Sequence, residues 1–275
     1  NPVEIPDLGG QTTFTTGGSK DDLDISSWRH STGRSPPKDE ITNAYAAAYQ
    51  SGTDTYVVFG ADRFAQNGDA VIGFWFFQNA ITPVTTGPDA GKFSGVHKNG
   101  DILILCDFTQ GGGEVTIRVF VWNSPGGAID GTLDLIGAGF GCAASPNFCA
   151  EVNDAPTPSP WAYTPSKGPA NIFPRGGFFE GGVNLTQLGI SNVCFASFLA
   201  ETRSSQSVDA PLKDFVTGTF TLVPDVNAGA DGALSCANPT TTLTASSSLE
   251  PSATFHWTTS DGSIVGDPNQ KTITV

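Results

Sequence analysis

Runs of hydrophobic residues bounded by glycine, asparagine and aspartate recur along the chain and predict β-strands almost throughout. Residues 71–77 (VIGFWFF) and 102–106 (ILILC) are apolar on both faces, which is typical of central strands covered from two sides. Residues 115–122 alternate instead, with valine and isoleucine on one face and threonine, arginine and two aromatic residues on the other. That second face is either a lightly covered outer face or a recognition surface.

Two segments depart from the strand pattern. Residues 41–49 (ITNAYAAAY) follow the pair Pro36 and Pro37 and predict a short helix. Residues 137–182 hold seven prolines and predict a rigid, surface-hugging loop region without regular ladders. Strands separated by short turns, with long irregular insertions, indicate an all-β, jelly-roll-type two-sheet sandwich over residues 1–223.

The composition changes near residue 224, where the chain becomes rich in serine, threonine and alanine. Cys236 is followed about twenty residues later by Trp257, a spacing typical of the first strands of an immunoglobulin-like domain. Such a domain needs roughly 100 residues, and about 50 remain here. We therefore expect residues 224–275 to be an incomplete immunoglobulin-like β domain.

The charge excludes some classes of partner. Lys and Arg number 13 against 27 Asp and Glu, which gives a formal net charge of -14. Nucleic acids and anionic membrane surfaces are therefore unfavourable partners, because both are polyanions. No apolar run approaches the roughly 20 residues of a membrane span, so membrane insertion is not expected.

Aspartate accounts for most of the acidity, with 20 Asp against 7 Glu. Aspartate favours turns, caps and oxygen-rich cation sites. One interpretation is a calcium ion at the sandwich rim, held by Asp39, Asn43, Asp62, Asn67 and Asp69. In the other interpretation, Asp39 caps the predicted helix and Asp62 pairs with Arg63 or Arg34. Asn67 and Gly68 then form a hairpin turn. Both interpretations stand at this stage.

Five cysteines are present and no CxxC pair occurs, so a zinc ribbon or a thioredoxin-like redox site is not predicted. Cys142 and Cys149 lie seven residues apart in the proline-rich insertion, where a disulfide would stabilise a loop without a core of its own. Cys106 and Cys194 occupy apolar strands, where a buried free thiol and a disulfide are equally compatible with the sequence. We expect the partner of Cys236 in strands that the incomplete domain lacks.

Catalytic motifs are not found: the sequence has no HExxH, no Gly-x-Ser-x-Gly and no phosphate-binding loop. A glycoside hydrolase needs only two carboxylates at a suitable separation, and Glu40, Glu114 and Glu201 are the candidates. Arg203 lies two residues after Glu201, on the same face of a strand, which predicts a structural ion pair. We therefore predict that the protein is not an enzyme.

Exposed aromatic rings are the remaining candidates for ligand contact. Trp122 at a strand end and Trp161 in the proline-rich insertion are predicted to stack on a ligand such as a sugar ring. Phe178 and Phe179, in a glycine-rich stretch of the same insertion, are further candidates. Core packing is the alternative role for each of these rings.

Four segments resemble the leading domain of large secreted bacterial surface proteins. They are KDEITNAYAAAY (38–49), VVFGADRFAQNGDAVIGFWFFQ (57–78), GDILILCDFT (100–109) and FLAETRSSQSVDAPLKDF (198–215). The segment 227–248 is similar to the first strands of immunoglobulin-like repeats in Bacteroidetes-type surface proteins. The resemblance implies a secreted, cell-surface protein that works in adhesion or in an extracellular matrix, and it implies no catalytic residues.

The sequence thus predicts a non-catalytic extracellular module, adhesin-like or structural, whose partners are further repeats or other copies of the chain. Three alternatives remain open. The first is an extracellular filament subunit whose open sandwich is completed by a strand from a neighbouring copy. The others are a carbohydrate-binding module and a glycoside hydrolase on a jelly roll.

Overall fold

The chain folds into two units, Asn1–Phe220 and Thr221–Val275. The computed structural model describes residues 5–7, 12–15, 17–66, 68–109, 114–127, 129–142, 147–190, 193–220, 226–230, 232–247 and 253–275. Asn67, one of the predicted calcium ligands, lies outside these residues. The immunoglobulin-like character of the second unit stays a prediction.

In the described part of the first unit, the regular elements are antiparallel strands and the 3-10 helix Ile25–Ser27. Its strands are β1 (Ile5–Pro6), β2 (Thr12–Phe14), β3 (His30–Thr32), β4 (Ile41–Ser51), β5 (Asp54–Arg63), β6 (Ala70–Phe77), β7 (Thr82–Pro83), β8 (Phe93–Ser94), β9 (Ile102–Thr109), β10 (Glu114–Asn123), β11 (Thr132–Phe140), β12 (Phe148–Val152), β13 (Thr157–Pro158), β14 (Ile172–Phe173), β15 (Phe178–Asn184), β16 (Ser197–Arg203) and β17 (Leu212–Thr219). The predicted all-β class is confirmed.

Two large antiparallel sheets form a β-sandwich. One has five strands in the order β1-β4-β5-β15-β12, and the other has eight in the order β11-β10-β9-β6-β16-β17-β2-β3. The pairs β7–β8 and β13–β14 form small two-stranded sheets. A sandwich of two large antiparallel sheets agrees with the predicted architecture, and its jelly-roll connectivity stays a prediction.

The main hydrophobic core lies between the two sheets. The five-stranded sheet contributes Phe59 and Phe179, and the eight-stranded sheet contributes Phe74 and Phe76 from β6. All eight residues of β6 are buried, which confirms the prediction of a central strand covered on both sides. Burial of aromatic and branched side chains of this kind is the dominant favourable contribution to folding.

A second hydrophobic cluster covers the outer face of the eight-stranded sheet. Trp28, from the loop after the 3-10 helix, packs there with Trp75, Phe120 and Trp122. The aromatic face of β10 is therefore core and not a recognition surface. Trp122 is fully buried and its ring stacks on His97 with a centroid distance of 3.9 Å. Its prediction as a ligand-stacking residue is wrong, because the ring is enclosed in this second cluster and is not accessible to a ligand.

The predicted helix over residues 41–49 is wrong: these residues belong to β4, which pairs with β1 and β5. Ala44 and Ala46 face the core between the sheets, and Tyr45 points to the opposite side. Alanine favours helices in isolation. Here the backbone of β4 pairs with a strand on each side, and the small alanine side chains fit against the core. These tertiary contacts override the local preference for a helix.

The proline-rich insertion was predicted to lack regular ladders, and this is wrong at its two ends. β12 and β15 pair with each other, and β15 also pairs with β5 inside the five-stranded sheet. Six of the seven prolines lie between Asn153 and Gly177, outside both strands. The chain therefore confines its prolines to the connection and keeps the backbone N–H groups of the strands free to donate.

The insertion also contains the predicted disulfide, which joins Cys142 to Cys149. The other three cysteines are free: Cys106 is buried in β9, whereas Cys194 and Cys236 are exposed. Cys106 is thus a buried free thiol within a strand, one of the two predicted alternatives. The prediction for Cys194 is wrong in its location, because β16 begins at Ser197 and the free thiol of Cys194 is exposed. Within the described residues, no helix combines the length and apolar character needed to cross a membrane.

The described residues of the second unit include the short strands β18 (Val226–Asn227), β19 (Thr242–Thr244), β20 (Ser246–Ser247) and β21 (Thr272–Thr274). β18 pairs with β20, and β19 pairs with β21. Among its described residues, Ala245 and Ile273 are the buried hydrophobic side chains. The described residues of this unit therefore bury far less apolar surface than those of the sandwich.

Candidate functional site

The outer face of the five-stranded sheet carries partly exposed aromatic rings and carboxylates in adjacent positions. Tyr45, Gly60, Glu180 and Glu151 lie side by side on β4, β5, β15 and β12, because each is the register partner of the next. Gly60 makes room for the Tyr45 ring, since a Cβ atom there would lie 2.5 Å from Cε1 of the tyrosine. The Tyr45 hydroxyl donates to Oε2 of Glu180 over 3.3 Å.

A groove of about 570 Å³ borders this row of residues. Its lining includes Glu151, Glu180, Asp154, Arg175 and Phe178. Both glutamates are exposed. A concave site with a few converging polar groups beside apolar rings is the usual form of a small-molecule or glycan site, so we call it the groove and treat it as the candidate functional site.

Three rings next to the groove form an aromatic cluster, Tyr45, Trp161 and Phe178. The centroid distances are 6.0 Å between Tyr45 and Trp161, 6.5 Å between Tyr45 and Phe178, and 5.9 Å between Trp161 and Phe178. Phe173 supports the cluster from below, stacked on Phe178 at 4.7 Å. Each ring of the cluster is only partly buried, so some aromatic surface stays available to a ligand.

Asp62 fixes the position of Trp161. Its Oδ2 accepts a hydrogen bond from the indole Nε1 over 2.6 Å and another from Nδ2 of Asn43 over 2.7 Å. Its Oδ1 accepts from the Asn43 backbone N–H and from the Thr42 hydroxyl. Burial raises the pKa of Asp62 to about 6, although these four hydrogen bonds lower it. Two predicted calcium ligands thus meet here and hold a predicted ligand-stacking residue.

The other predicted calcium ligands do not join them. Asp69 is exposed, and Asp39 is buried in the turn before β4. The Lys38 ammonium lies between them, 3.2 Å from the Asp69 carbonyl oxygen and 3.9 Å from Oδ1 of Asp39. Asp39 caps no helix, because β4 follows it. Among the described residues, no group of three or more His, Cys, Asp or Glu side chains is arranged to hold a metal ion; bound calcium stays a prediction.

The glutamates proposed as a hydrolytic pair do not face the groove. Glu40 and Glu201 are both buried, and the side chain of Glu114 lies outside the described residues. Arg203 donates from Nε to Oε1 of Glu201 over 3.1 Å, which confirms the predicted structural ion pair. Buried carboxyl groups cannot reach a polysaccharide, so these two residues do not act as its acid pair.

Sequence reasoning missed Glu151, Glu180 and Tyr45. The signal was present for the two glutamates, because each alternates with inward-facing residues along a short strand, as in Phe148-Cys149-Ala150-Glu151-Val152. The density of prolines around these segments outweighed that alternation. Their lateral alignment depends on the register of four strands, which local sequence does not encode.

Comparison with family models, with curated proteins and with solved structures finds no match to this chain. The resemblance to leading domains of bacterial surface proteins therefore stays a prediction.

Proposed function

We propose that this protein is a non-catalytic extracellular module of a cell-surface protein that binds glycans on the outer face of its five-stranded sheet. The observation that carries the proposal is the aromatic cluster beside the groove. Aromatic rings pack on the apolar faces of sugar rings, and carboxylates accept hydrogen bonds from sugar hydroxyls. The buried support beneath the rings reduces the conformational entropy that a ligand would otherwise have to overcome.

The groove favours binding over hydrolysis. Glu151 and Glu180 are directly opposite each other and both are open to solvent. A glycosidase general acid relies on a shielded environment that keeps its proton at neutral pH. The secreted, surface location is supported by the resemblance of four segments to leading domains of bacterial surface proteins.

Removing the aromatic cluster is expected to weaken glycan binding. Phe178→Ala and Trp161→Ala should each reduce the affinity for the preferred glycan by about tenfold or more, because burying a large apolar side chain against a ligand contributes about 1.5–3 kcal/mol. The measurement is a glycan array followed by titration calorimetry, with calcium and with a chelator. Val96→Ala, which trims an exposed hydrophobic side chain outside the groove lining, is the control and should bind normally.

Trp161→Phe keeps an aromatic ring but removes the hydrogen bond from the indole to Asp62. This variant should retain most of the glycan affinity. The proposal fails if the native protein binds no glycan under either calcium condition. It also fails if both alanine variants bind as tightly as the native protein.

Self-assembly is a second candidate function, favoured by the exposed edge strand β11. This strand ends the eight-stranded sheet, and Leu135 and Phe140 on it are 56% and 66% exposed. Natural edge strands are usually protected by charges or prolines. Residues 119–150 carry only two charges, Asp130 and Asp134. The low charge of this segment limits the repulsion that two copies of a chain with net charge -14 would experience along β11.

A lysine on this edge is expected to abolish self-association. Light scattering across a concentration series should show oligomers for the native protein and monomers for Phe140→Lys and Leu135→Lys, because the added charge would be desolvated at the paired edge. Val96→Lys, which replaces another exposed hydrophobic residue, should associate like the native protein. A native protein that is monomeric at all concentrations removes this candidate function.

A further inference from the structure

The two carboxylates of the groove occupy an unfavourable arrangement in the free protein. Glu151 on β12 and Glu180 on β15 are register partners on the outer face, which places their Cβ atoms about 4.5–5.5 Å apart. Like charges directly opposite each other destabilise a pair of strands. A cation held between them would remove that repulsion.

Among the described residues, no Lys or Arg side chain is paired with either carboxylate, that of Glu151 or that of Glu180. The groove lining includes three acidic residues, with Asp154 as the third, and Arg175 as its one basic residue. The groove is thus acidic, and it repels glycans that carry carboxylate or sulfate groups.

The aromatic cluster adds an independent attraction for a cation. The ring face of a tyrosine or tryptophan attracts an ammonium group within about 6 Å through its quadrupole. Tyr45 adjoins Glu180, and both burial and the charge of Glu180 raise the pKa of its hydroxyl, so it remains a neutral hydrogen-bond donor to that carboxylate. The site therefore combines two carboxylates with an uncharged aromatic surface.

We infer that the groove selects glycans that carry free primary ammonium groups, that is, polysaccharides of de-acetylated amino sugars. An ammonium group offers three donors and bridges Glu151 and Glu180, while the adjoining sugar ring packs on the aromatic cluster. N-acetylation removes both the charge and two of the three donors. This inference rests on the proposed glycan binding and adds the class of glycan.

The experiment compares two ligands that differ only in N-acetylation. Soluble β-1,4-linked glucosamine oligomers and their N-acetylated counterparts of equal length are titrated into the full chain at about pH 6, where the free amine is charged. The de-acetylated oligomer should bind about tenfold or more tightly, because hydrogen bonds from an ammonium group to carboxylates are stronger than those from a neutral amide. Hyaluronan, a polyanionic glycan, should not bind.

Variants separate the groove from the overall acidity of the chain, which attracts any polycation. Glu151→Gln with Glu180→Gln should abolish the preference, so that the two oligomers bind this variant with equal affinity. Asp134→Asn, which removes one exposed carboxylate on β11, should keep the preference. A preference that survives the double Gln variant reflects net charge alone and overturns the inference. Equal affinity of the native protein for both oligomers also overturns it and leaves the proposed function intact, whereas the absence of binding to any glycan overturns the proposed function itself.

Discussion

Replacing Arg203 by methionine is expected to lower the free energy of unfolding of the sandwich by about 3–5 kcal/mol. The Arg203 guanidinium contacts the carboxylates of Asp21 and Glu201, and all three side chains are fully buried. Without the arginine, two buried acids lose their common counter-charge. The indole Nε1 of Trp75 also donates to Asp21 over 2.6 Å, and this single neutral donor does not balance the buried carboxylate charge.

The cluster contains two acids and one base, so removing the base is expected to cost more stability than neutralising one of the acids. Burial raises the pKa of Glu201 well above its usual value and lowers the pKa of Arg203 to about 9. Glu201→Gln removes the excess negative charge at constant shape. It should therefore change the unfolding free energy by less than about 1 kcal/mol, or stabilise the protein.

Urea unfolding followed by tryptophan fluorescence measures both effects, because four of the five tryptophans belong to the sandwich. Lys167→Met removes an exposed cation and serves as the matched control, with an expected change within about 0.5 kcal/mol. A loss for Arg203→Met no larger than that of the control would contradict the electrostatic role of the cluster. So would a loss for Glu201→Gln as large as that for Arg203→Met.

The high strand content, and the burial of β6 and β9 on both faces, could be predicted from the sequence. A continuous apolar run that directly follows a turn is a signal contained in neighbouring residues. The ion pair between Glu201 and Arg203 was predictable for the same reason, since a spacing of two places both side chains on one face. These features depend only on neighbours in the chain.

β4 and the aromatic cluster could not be predicted because they depend on non-local pairing. The alanines of β4 favour a helix until strands on both sides compete for their backbone groups. Trp122 and Trp161 are alike in sequence terms, each near a strand or turn. Trp122 is buried because side chains of the second hydrophobic cluster, including Trp28, cover the outer face of its sheet. Trp161 stays partly exposed, and its indole donates to Asp62, which is 99 residues away in the sequence.

Stability is expected to fall as the pH rises, and Asp62 should account for about 3 kcal/mol of the change. Its pKa is about 6 in the folded protein and 3.8 as a free side chain. A carboxyl group with a raised folded pKa binds more protons in the folded state than in the unfolded state. Its stabilising contribution is therefore complete below about pH 4 and is lost as the pH rises through 6.

Glu40, with its pKa raised by burial to about 7, and Asp214, raised by burial and by neighbouring carboxylates, act in the same direction. His97 acts in the opposite direction, because burial lowers its pKa and its unfolded form takes up protons below about pH 6.5. The pH profile of the native protein alone therefore mixes several groups.

A comparison with Asp62→Asn isolates one group, because the contributions of Glu40, Asp214 and His97 cancel between the two proteins. The variant should be the less stable protein at pH 4, since its amide cannot accept from all four donors around Asp62. The difference in unfolding free energy should then shift by about 2.5 kcal/mol in favour of the variant between pH 4 and pH 8. Asp134→Asn should show a constant difference. A shift in the opposite direction would mean that the hydrogen bonds from Thr42, Asn43 and Trp161 outweigh burial and keep Asp62 ionised even in acid.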